Sequence, residues 1–429
     1  MAEIKAFNGL RFTEKAGKIG ELCCPPYDII SGEQRLAFLN ENQYNIIRLE
    51  MPKSQHDDES FDAYGAARAY LNDWLNAEIL KKDEKSGIYV YEMDFSANGG
   101  THSVKGFISL VKLEEFSKGI ILPHEETLSK AKTDRFNLMN ATGCNFSQIY
   151  SLYMDEDKGA YAIIDAASKG APDNEFTDAD GVCHKLWCIY DESVIAALSA
   201  KMSDKKLYIA DGHHRYETAL NYKKFCRENM QEPQNADYVC MMLVNMENNG
   251  LVVFPTHRIV RDLAEFDYNS LIEKCSEYFD ITPYLNREMG EKVLEKAYSD
   301  GKKAFVLFTG DNNYTLLVLK ELELMEKLMP DVSDALRGLD VSVLHTLVLE
   351  RIFGIDKENM AKQINLTYTR SADEAISAVD GKRANCCFLL NPTRVGEIRD
   401  VAAAGEKMPQ KSTYFYPKLT TGLVMNKIF

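Results

Sequence analysis

KKLYIADGHHRYETALNYKKFCR, residues 205–227, is the stretch that decides the fold. Its first part, residues 205–210, is the short apolar run of a β-strand, and residues 214–227 repeat apolar side chains at helical spacing. Asp211-Gly212 lies between them, where glycine permits a sharp backbone step. A strand that turns directly into a helix predicts a mixed α/β fold.

The turn at residues 211–215 carries the charge pattern of an anion site. A helix N-terminus presents N–H groups and the positive end of the helix dipole. His213, His214 and Arg215 add three cationic or cationisable side chains, so we predict a site for phosphate. Asp211 does not fit phosphate directly, and we predict that it holds a Mg²⁺ ion. Two alternatives are a capping aspartate beside surface histidines, or a zinc site, which no HExxH pattern supports.

Apolar periodicity outside the turn predicts alternating strands and helices. Residues 60–77 have the helical period, and the runs at 87–95 and 105–113 have the length and composition of strands. Asn249-Gly250 lies between two apolar runs and predicts a β-hairpin over residues 238–260. Further predicted elements are strands at 44–49, 148–153 and 384–390, a second hairpin at 303–319, and helices at 269–279 and 342–353.

These patterns predict two domains and a tail in a chain of 429 residues, which is long for a single core. Residues 1–260 are expected to form a catalytic α/β domain. Residues 261–383 are expected to form a mainly helical second domain. Residues 384–429 are expected to form a C-terminal segment that packs back onto the first domain.

A second polar cluster follows the apolar run at residues 120–122. Glu125, or its neighbour Glu126, is a candidate general base for a substrate hydroxyl group. Lys130 and Arg135 would then face the transferred group. The alternative is that the two carboxylates only cap the start of the helix.

Three further segments contribute candidates. His257-Arg258 ends an apolar strand and would add two cations to the phosphate site, unless the pair lies on the surface. Asp28 follows two prolines and is either a ligand or a helix cap. The tail at 408–418 combines aromatic, hydroxyl and lysine side chains, of which Lys418 is a candidate phosphate ligand.

The charge balance argues against several classes of partner. Lys and Arg number 50 against 65 Asp and Glu, and the resulting net charge of −15 would be repelled by nucleic acid and by an anionic membrane. No apolar stretch approaches the roughly 18 to 20 residues that cross a bilayer. The N-terminal residues MAEIKAFNGLRF are charged where a signal peptide is apolar. The ten cysteines form no CxxC motif, so we expect a cytoplasmic protein with reduced thiols.

Common nucleotide and nucleophile motifs are absent from the sequence. There is no GxxxxGK[ST] loop, no GxGxxG after a strand, no protein-kinase signature and no GxSxG elbow. Residue chemistry alone therefore predicts an anion site with a metal ion and a carboxylate base.

Five segments together resemble the bacterial domain of unknown function 1015 family: PPYD (25–28), HEET (124–127), ADGHHRYETA (210–219), PTHR (255–258) and KSTYFYPK (411–418). The resemblance extends from about residue 4 to the end of the sequence, and ADGHHR is its most specific part. The family is similar in turn to the ParB/sulfiredoxin superfamily, whose phosphate site includes a Gly-x-x-Arg turn, here Gly212 to Arg215. The resemblance implies a ParB/sulfiredoxin-like catalytic core.

The resemblance also implies a function, a kinase that phosphorylates the hydroxyl group of free serine, with pyrophosphate as donor. The Mg²⁺ cofactor predicted from Asp211 is compatible with this activity. Glu125 would be the base that takes the serine proton. The implied catalytic residues are Glu125, His214 and Asp211, and the candidate phosphate-binding residues are Gly212, His213, His214, Arg215, Lys130, Arg135, His257, Arg258 and Lys418.

The alternative function is a nucleotide-binding regulator related to ParB, in which the same turn binds a nucleotide without turnover. The net charge of −15 argues against an attached DNA-binding module. A member that keeps the fold and has lost activity is a third hypothesis. The sequence is also compatible with a homo-oligomer.

Overall fold

The structure, a computed structural model, describes residues 1–53, 61–125, 127 and 129–429, and it describes residues 129 and 130 by their backbone alone. The chain divides into two compact units. The first unit consists of Met1–Pro123, Thr127–Val252 and Pro417–Phe429, and the second consists of His124–Glu126 and Val253–Tyr416. Helices and strands occur in both units, so the predicted α/β fold class is confirmed.

The β-strands, numbered in chain order, are β1 (Ile4–Lys5), β2 (Leu10–Phe12), β3 (Leu80–Lys82), β4 (Ile88–Ala97), β5 (Gly100–Lys112), β6 (Ile121–Leu122), β7 (Cys144–Asn145), β8 (Ile149–Tyr153), β9 (Asn174–Thr177), β10 (Cys183–Ile189), β11 (Leu207–Asp211), β12 (Tyr238–Asn245), β13 (Val252–Val253), β14 (His257–Val260), β15 (Phe279–Tyr284), β16 (Ala304–Phe308), β17 (Tyr314–Leu319), β18 (Leu366–Thr369), β19 (Cys386–Leu390), β20 (Phe415–Tyr416) and β21 (Asn426–Lys427).

The α-helices are α1 (Ile19–Leu22), α2 (Gly32–Glu41), α3 (Ile47–Glu50), α4 (Ala63–Asn76), α5 (Ser129–Thr142), α6 (Gly159–Ala167), α7 (Glu192–Met202), α8 (His213–Asn229), α9 (Tyr268–Cys275), α10 (Arg287–Ser299), α11 (Glu323–Leu328), α12 (Asp334–Arg337), α13 (Asp340–Val343), α14 (Lys357–Lys362), α15 (Ala372–Asp380) and α16 (Val395–Ala403). A π-helix, Leu344–Ile352, directly follows α13.

A nine-stranded mixed sheet forms the centre of the first unit. Its strand order is β6-β11-β8-β12-β5-β4-β10-β9, and β1 pairs with β5 outside this path. β11 runs parallel to β6 and antiparallel to β8, whereas β12 runs parallel to β8. The end of β11, where the decisive turn begins, is therefore anchored on both sides by neighbouring strands.

Helix α8 joins the core of the first unit through its apolar face. Tyr216, Leu220 and Tyr222 are buried in the same hydrophobic cluster as the sheet residues. The ring of Phe136 on α5 lies 6.0 Å from that of Tyr222 and 5.6 Å from that of Phe225. Burying side chains of this size stabilises the fold by about 1.5–3 kcal/mol each. Because Tyr216 lies in the first turn of α8, its burial holds the start of the helix against the core.

The second unit is built on a six-stranded sheet with the order β15-β17-β16-β19-β14-β18. Every pairing along this order is antiparallel. Helices α10 and α15 contribute Leu294 and Val379 to one hydrophobic cluster with the sheet residues Val306 and Leu389. More residues of this unit lie in helices than in strands, as predicted, but the sequence did not predict the six-stranded sheet, because short β-rich runs between the helices assemble it through distant pairings.

The observed division also differs from the predicted boundaries at residues 260 and 383. The second unit begins at Val253 and includes β14, and it extends past residue 383 to Tyr416. Of the predicted C-terminal segment, only Pro417–Phe429 belongs to the first unit. Strand β19 explains the difference, because it pairs with β14 and β16 inside the second sheet.

Most individual elements agree with the predictions. The strands expected at 87–95, 105–113, 148–153 and 384–390, the hairpin at 303–319 and the helix at 269–279 all occur, with shifted ends. The helix expected from residue 60 is α4; residue 60 itself lies outside the described residues. The helix expected at 342–353 takes a π-helical form over most of its length.

Two predicted elements are wrong. Residues 44–49 contain the start of helix α3 rather than a strand, because a short apolar run does not distinguish a buried helix from a strand. The hairpin at 238–260 does not form, since β12 pairs with β5 and β8 in the centre of the first sheet. Asn249-Gly250 therefore lies in a loop and does not connect two paired strands.

Candidate phosphate-binding site

Strand β11 turns into helix α8 through a single glycine. The register of β11 against β8 shifts between Ile209 and Asp211, which is a β-bulge that redirects the end of the strand. Gly212 is the N-cap of α8 and has a φ of 94°, in the left-handed region that favours glycine. A Cβ atom at this position would lie 2.9 Å from Nε of Arg215. The turn therefore needs glycine both for its backbone and for the close approach of the guanidinium.

Asp211 is held between two cations. Its Oδ2 accepts a hydrogen bond from Nη2 of Arg215 at 2.7 Å, and its Oδ1 accepts one from Nζ of Lys418 at 2.5 Å. Burial alone would raise the pKa of this carboxyl, but the charges of Lys418, Arg215 and His213 outweigh burial and hold the pKa below its ordinary value. Asp211 is therefore ionised at neutral pH and orients both cations.

Arg215 supports the turn from inside the first unit. Its Nη1 donates a hydrogen bond to the backbone carbonyl of Gln148 at 2.5 Å, in addition to the contact with Asp211. The residue is only 8% exposed. Arg215 lies at the turn, as predicted. Its hydrogen bonds to Gln148 and Asp211 hold the guanidinium in place, and its positive charge contributes to the potential at the turn.

The first turn of α8 supplies the remaining cationic groups. The first hydrogen bond of the helix runs from the N–H of Tyr216 to the carbonyl of Gly212 at 3.0 Å, so the N–H groups of residues 213–215 precede the helical ladder. His213 is buried, whereas His214 is half-buried. His213 and His214 are therefore the first two residues of a 17-residue helix and lie at the positive end of its dipole.

Helix α5 is tied to the same end of α8. Oε2 of Glu217 accepts hydrogen bonds from Oγ1 of Thr127 at 2.7 Å and from Nζ of Lys132 at 2.8 Å. This pair of contacts connects the start of α5 to the first turns of α8. The basic residues predicted near residue 130 therefore belong to an element that packs beside the turn.

Arg135 on α5 is the partner of a buried carboxylate that the sequence did not single out. Nη1 of Arg135 lies 3.3 Å from Oε1 of Glu50, and the hydroxyl of Ser147 donates to the same oxygen at 3.1 Å. Burial raises the pKa of Glu50, against the lowering effect of Arg135 and of Arg215. The guanidinium of Arg135 also lies 4.1 Å from the ring centroid of Tyr27.

A cavity of about 40 Å³ lies among these groups, with Glu50, Arg135, Arg215 and Thr218 in its walls. A volume of this size holds about one water molecule. The cavity shows that the predicted Arg135 and Arg215 share one buried environment with Glu50. No spacing rule in the sequence points to Glu50, because it lies on α3, far along the chain from the turn.

Asp28 is near the same cluster. Its charge contributes to raising the pKa of both Tyr27 and Glu50, after the larger effect of burial. The segment that follows two prolines thus contributes to the surroundings of Glu50. The capping interpretation of Asp28 is wrong for the next long helix, α2, because the N-cap of α2 is Ser31. The interpretation of Asp28 as a ligand stays a prediction.

Glu125 belongs to the second unit. Its Oε1 accepts a hydrogen bond from the N–H of Lys411 at 3.1 Å, and its backbone forms a β-bridge with Met408. The role of Glu125 as a base stays a prediction. The side chain of Lys130 and the whole of Glu126 lie outside the described residues.

His257 and Arg258 also belong to the second unit, on β14. Nδ1 of His257 accepts a hydrogen bond from the N–H of Leu390 at 3.2 Å, and burial followed by the charges of Arg258 and Arg287 lowers its pKa to about 4. Arg258 is completely buried. Both residues are interior groups, so the alternative of a surface pair is wrong, and a role in phosphate binding stays a prediction.

Asp211 does not fit a magnesium ligand in this arrangement. Mg²⁺ needs carboxylate oxygens that face water or substrate, whereas both oxygens of Asp211 contact a cationic nitrogen. Within the part of the chain that the structure describes, no group of three or more His, Cys, Asp or Glu side chains is placed to hold a metal ion. The predicted role of Asp211 as a Mg²⁺ ligand is therefore not supported, and the Mg²⁺ requirement itself stays a prediction.

Over residues 4–342 the sequence matches the family described as "Protein of unknown function (DUF1015)". No curated protein matches the chain. Among the residues with a described structure, no helix is both long and apolar enough to cross a lipid bilayer.

Three solved structures show distant similarity. A conserved hypothetical protein from Pyrococcus furiosus is 15% identical, with coverage of 72% of this chain and 90% of that chain and a TM-score of 0.35. A free serine kinase in complex with AMP is 14% identical, with coverage of 72% and 86% and a TM-score of 0.37. C-terminally truncated SbnI from Staphylococcus aureus is 12% identical, with coverage of 74% and 86% and a TM-score of 0.36.

Proposed function

The chain belongs to the DUF1015 family, and we propose that this member is a kinase of small molecules that phosphorylates the hydroxyl group of free L-serine. The observation that carries the proposal is the turn at residues 211–215. It combines the N-terminus of a long helix with two histidines and a braced arginine. These groups are the ones that hold phosphate oxygens in proteins.

The ion pairs of Asp211 give the turn its preorganisation. Because Asp211 fixes Arg215 and Lys418, their positive charge is in place before an anion arrives. Fixed charge of this kind stabilises the extra negative charge that develops on a transferring phosphoryl group. His214, half-buried at the start of α8, is the side chain that we propose to contact the donor phosphate.

The proposed reaction is an in-line transfer. The serine oxygen forms a bond to phosphorus, the bond from phosphorus to the leaving phosphate oxygen breaks, and the serine proton moves to a carboxylate base. The products are O-phosphoserine and inorganic phosphate when pyrophosphate is the donor. Glu125 is the base implied by the resemblance, and Glu50 is a second candidate because it lies in the same unit as the turn.

An assay with purified protein tests the proposal and identifies the donor. Serine is incubated with pyrophosphate, ADP or ATP in parallel, each with added Mg²⁺ and with EDTA, and phosphoserine is measured by mass spectrometry. We expect phosphoserine with pyrophosphate and Mg²⁺. No phosphoserine from any donor would refute the kinase proposal, and turnover in EDTA would refute the need for Mg²⁺.

A matched pair of histidine variants tests the role of the turn. His214→Ala is expected to reduce turnover by at least about a hundredfold, since a positioned catalytic donor is typically worth that much. His102→Ala alters a histidine of β5 in the same unit and serves as control. Equal activity in the two variants would contradict the proposed contact between His214 and the donor.

Nucleotide binding without turnover is the second candidate function. The observation that favours it is the pairing of both Asp211 oxygens with cations, which leaves the turn suited to an anion and not to a bound metal ion. Stabilisation in thermal unfolding by CTP or another nucleotide, together with no phosphoserine in the assay, would support this function. A cytoplasmic location, a homo-oligomeric state and the absence of nucleic-acid and membrane partners stay predictions.

A further inference from the structure

A second cavity, of about 400 Å³, lies within the second unit. The helices α11, α12, α13 and α14, the π-helix and the segment at 407–410 all contribute to its walls. Its volume is in the range of small-molecule sites, which are mostly apolar with a few converging polar groups. Apolar walls come from Leu328, Val332, Leu336, Met360 and Met408.

The π-helix supplies the polar wall of this cavity. Elements of this kind are rare and are frequently found at functional sites. The buried side chain of His345 lines the cavity, and its Nε2 accepts a hydrogen bond from Nε of Arg258 at 3.3 Å. Tyr368 also lines the cavity, and its ring centroid lies 5.2 Å from the Arg258 guanidinium. A buried cation therefore stands directly behind two lining side chains.

Two buried polar atoms at this wall have no hydrogen-bond partner among the residues that the structure describes. They are Oγ of Ser342, which lines the cavity, and Nη2 of Arg258. Ser342 is 2% exposed and Arg258 is 0% exposed. A buried polar group without a hydrogen-bond partner destabilises the protein, and a charged group does so more strongly. Buried polar groups are normally hydrogen-bonded, and a bound ligand would supply the missing hydrogen-bond partners.

The wall offers hydrogen-bond donors to a ligand. Because Nε2 of His345 accepts from Arg258, a neutral imidazole carries its proton on Nδ1, which makes Nδ1 a donor. Burial and the charge of Arg258 lower the pKa of His345, which agrees with the neutral form. The hydroxyl group of Ser342, buried in the cavity wall, is a second unsatisfied donor.

The charges around the cavity balance in number, so their positions decide which ligand is favoured. The cationic side chains are Lys357 and Lys407, which line the cavity, and Arg258 behind it. The carboxylates are Glu350, which lines the cavity, Asp356, whose charge acts on Glu350, and Glu125, whose charge acts on Arg258. The fully buried guanidinium of Arg258 stands directly behind His345 and Tyr368, so the potential at this wall favours a negatively charged group.

We propose that this cavity binds a small organic monocarboxylate, with its carboxylate at Ser342 and His345 and its apolar body against Leu328, Val332 and Met360. This second site goes beyond the proposed kinase function, since no residue of the turn at 211–215 lines the cavity. Hydrogen bonds from two donors and the charge of Arg258 give the site its preference for an anion. The apolar walls give the preference for a hydrocarbon or aromatic body.

Three probes that share one ring system test the proposal on the full chain. They are 2-naphthoate, 2-naphthylmethanol and 2-naphthylmethylamine, and their binding is measured by isothermal titration calorimetry. We expect 2-naphthoate to bind at least about tenfold more tightly than the alcohol, and the amine to bind most weakly. Equal affinity of the acid and the alcohol, or no saturable binding of any probe, would overturn the proposal.

Substitutions in the walls locate the bound probe. Ala361→Phe fills the cavity and is expected to weaken 2-naphthoate binding at least about tenfold. Lys362→Phe places the same ring on the same helix at a position that does not line the cavity, and it should leave the affinity unchanged. Gln410→Trp is a second blocking variant for the case that Ala361→Phe does not fold. Wild-type affinity in a folded blocking variant would overturn the proposal.

Ser342→Ala tests the polar end of the site. We expect this variant to lose about fivefold or more in affinity for 2-naphthoate and to bind 2-naphthylmethanol as the wild type does. An equal loss for both probes would show that the hydroxyl group has only a structural role and would contradict the assignment of the carboxylate. Phosphoserine formation is measured in parallel, so failure of this site and failure of the kinase proposal are distinguished.

Discussion

Arg215 illustrates how a single side chain connects the backbone of the turn to its charge. Its guanidinium lies over Gly212, donates to the carbonyl of Gln148 and contacts Asp211. A charge fixed by three such contacts loses little freedom when an anion binds, so the positive potential at the turn requires no rearrangement. Gly212 lies beneath the guanidinium and leaves no room there for a larger side chain.

Gly212→Ala is predicted to destabilise the protein and to weaken phosphate binding. The backbone strain at a positive φ costs about 1–3 kcal/mol, and the new methyl group would displace the Arg215 guanidinium, which lies 2.9 Å from its position. Urea unfolding and calorimetric titration with pyrophosphate measure the two effects.

Gly99→Ala is the matched control for this substitution. Gly99 also has a positive φ, 74°, but a Cβ atom there would have nothing within 4 Å. Gly99→Ala should lower the free energy of unfolding through backbone strain and should bind pyrophosphate as tightly as the wild type does. If both variants bind pyrophosphate equally well, the close approach of Arg215 to Gly212 is unimportant for the site.

A pair of isosteric substitutions tests whether Glu50 or Glu125 is the base. If Glu50 is the base, Glu50→Gln should lower kcat by at least about a hundredfold, because a positioned base contributes about that factor, and Glu125→Gln should change kcat little. The reverse result would assign the base to Glu125. Full activity in both variants would exclude a carboxylate base at either position.

At the residue scale, the sequence predicts groups that are adjacent in the chain and misses groups that only the fold assembles. Asp211 to Arg215 were predicted together because they are consecutive at one turn. Glu50 was missed because its partner Arg135 lies 85 residues further along the chain. The complete burial of Arg258 was not predictable either, because a His-Arg pair after a strand fits a surface site equally well.

At the element scale, the ion pairs of Asp211 connect three parts of the first unit. They join the end of β11, the first turn of α8 and the C-terminal segment that holds Lys418. The side chains of Asp211 and Lys418 are both largely buried, with 15% and 11% exposure. Removing one partner of such a pair leaves the other charge poorly compensated.

Lys418→Met is therefore predicted to lower the free energy of unfolding at neutral pH by about 3 kcal/mol. The double variant Asp211→Asn/Lys418→Met should lose less than the sum of the two single losses, because neither side chain is then left without its partner. Chemical unfolding of the four proteins in this double-mutant cycle measures the coupling. Additive losses would contradict an energetic link between the two residues.

Asp211→Asn is predicted to change the acid stability of the protein. The pKa of Asp211 lies below its ordinary value of 3.8, so its stabilising contribution is present above pH 3.8 and is lost as the pH falls further. The wild-type unfolding free energy should therefore fall below this pH more steeply than that of the variant. Parallel curves in acid unfolding would contradict the depressed pKa.

Element predictions succeeded where the local pattern and the fold agree. Helix α8 was predicted from its apolar period, and β11 from its short apolar run, because each element buries the face that its sequence marks. The hairpin at 238–260 failed because β12 is apolar enough to be buried between β5 and β8. The pairing of a strand at the centre of a sheet depends on packing between distant parts of the chain, and a local turn motif does not predict it.

At the scale of the whole molecule, the second unit shows why domain boundaries were hard to predict. Its sheet combines strands from residue 257 to residue 390, interrupted by helices. Each strand is short, so the helical pattern between them dominates the sequence. The fold class was predictable from alternating elements, but the pairing of β14 with β19 is a property of the assembled sheet.

The second unit is predicted to lose stability in mild acid because of His257. The pKa of this histidine falls from 6.5 to about 4 on burial beside Arg258 and Arg287. The unfolded chain therefore binds a proton between these two pH values that the folded chain does not bind, and His257 alone lowers the free energy of unfolding by about 3 kcal/mol as the pH decreases. His345 acts in the same direction, because burial and the charge of Arg258 also lower its pKa.

Urea unfolding between pH 7 and pH 4.5 measures this dependence. His257→Gln should flatten the curve relative to the wild type, and His102→Gln, in the first unit, should follow the wild type. Identical slopes for His257→Gln and wild type would show that His257 takes up its proton in the folded protein as it does in the unfolded chain.

The return of Pro417–Phe429 to the first unit has a consequence for biosynthesis. Lys418 contacts Asp211 across 207 positions of the chain, and the backbone of Met425 bonds to that of Leu10 near the N-terminus. Chains begin to fold from the N-terminus while they are still being translated. On the ribosome, the second unit can assemble while the first still lacks residues 417–429, so the ion pair between Asp211 and Lys418 forms only after these residues have left the exit tunnel.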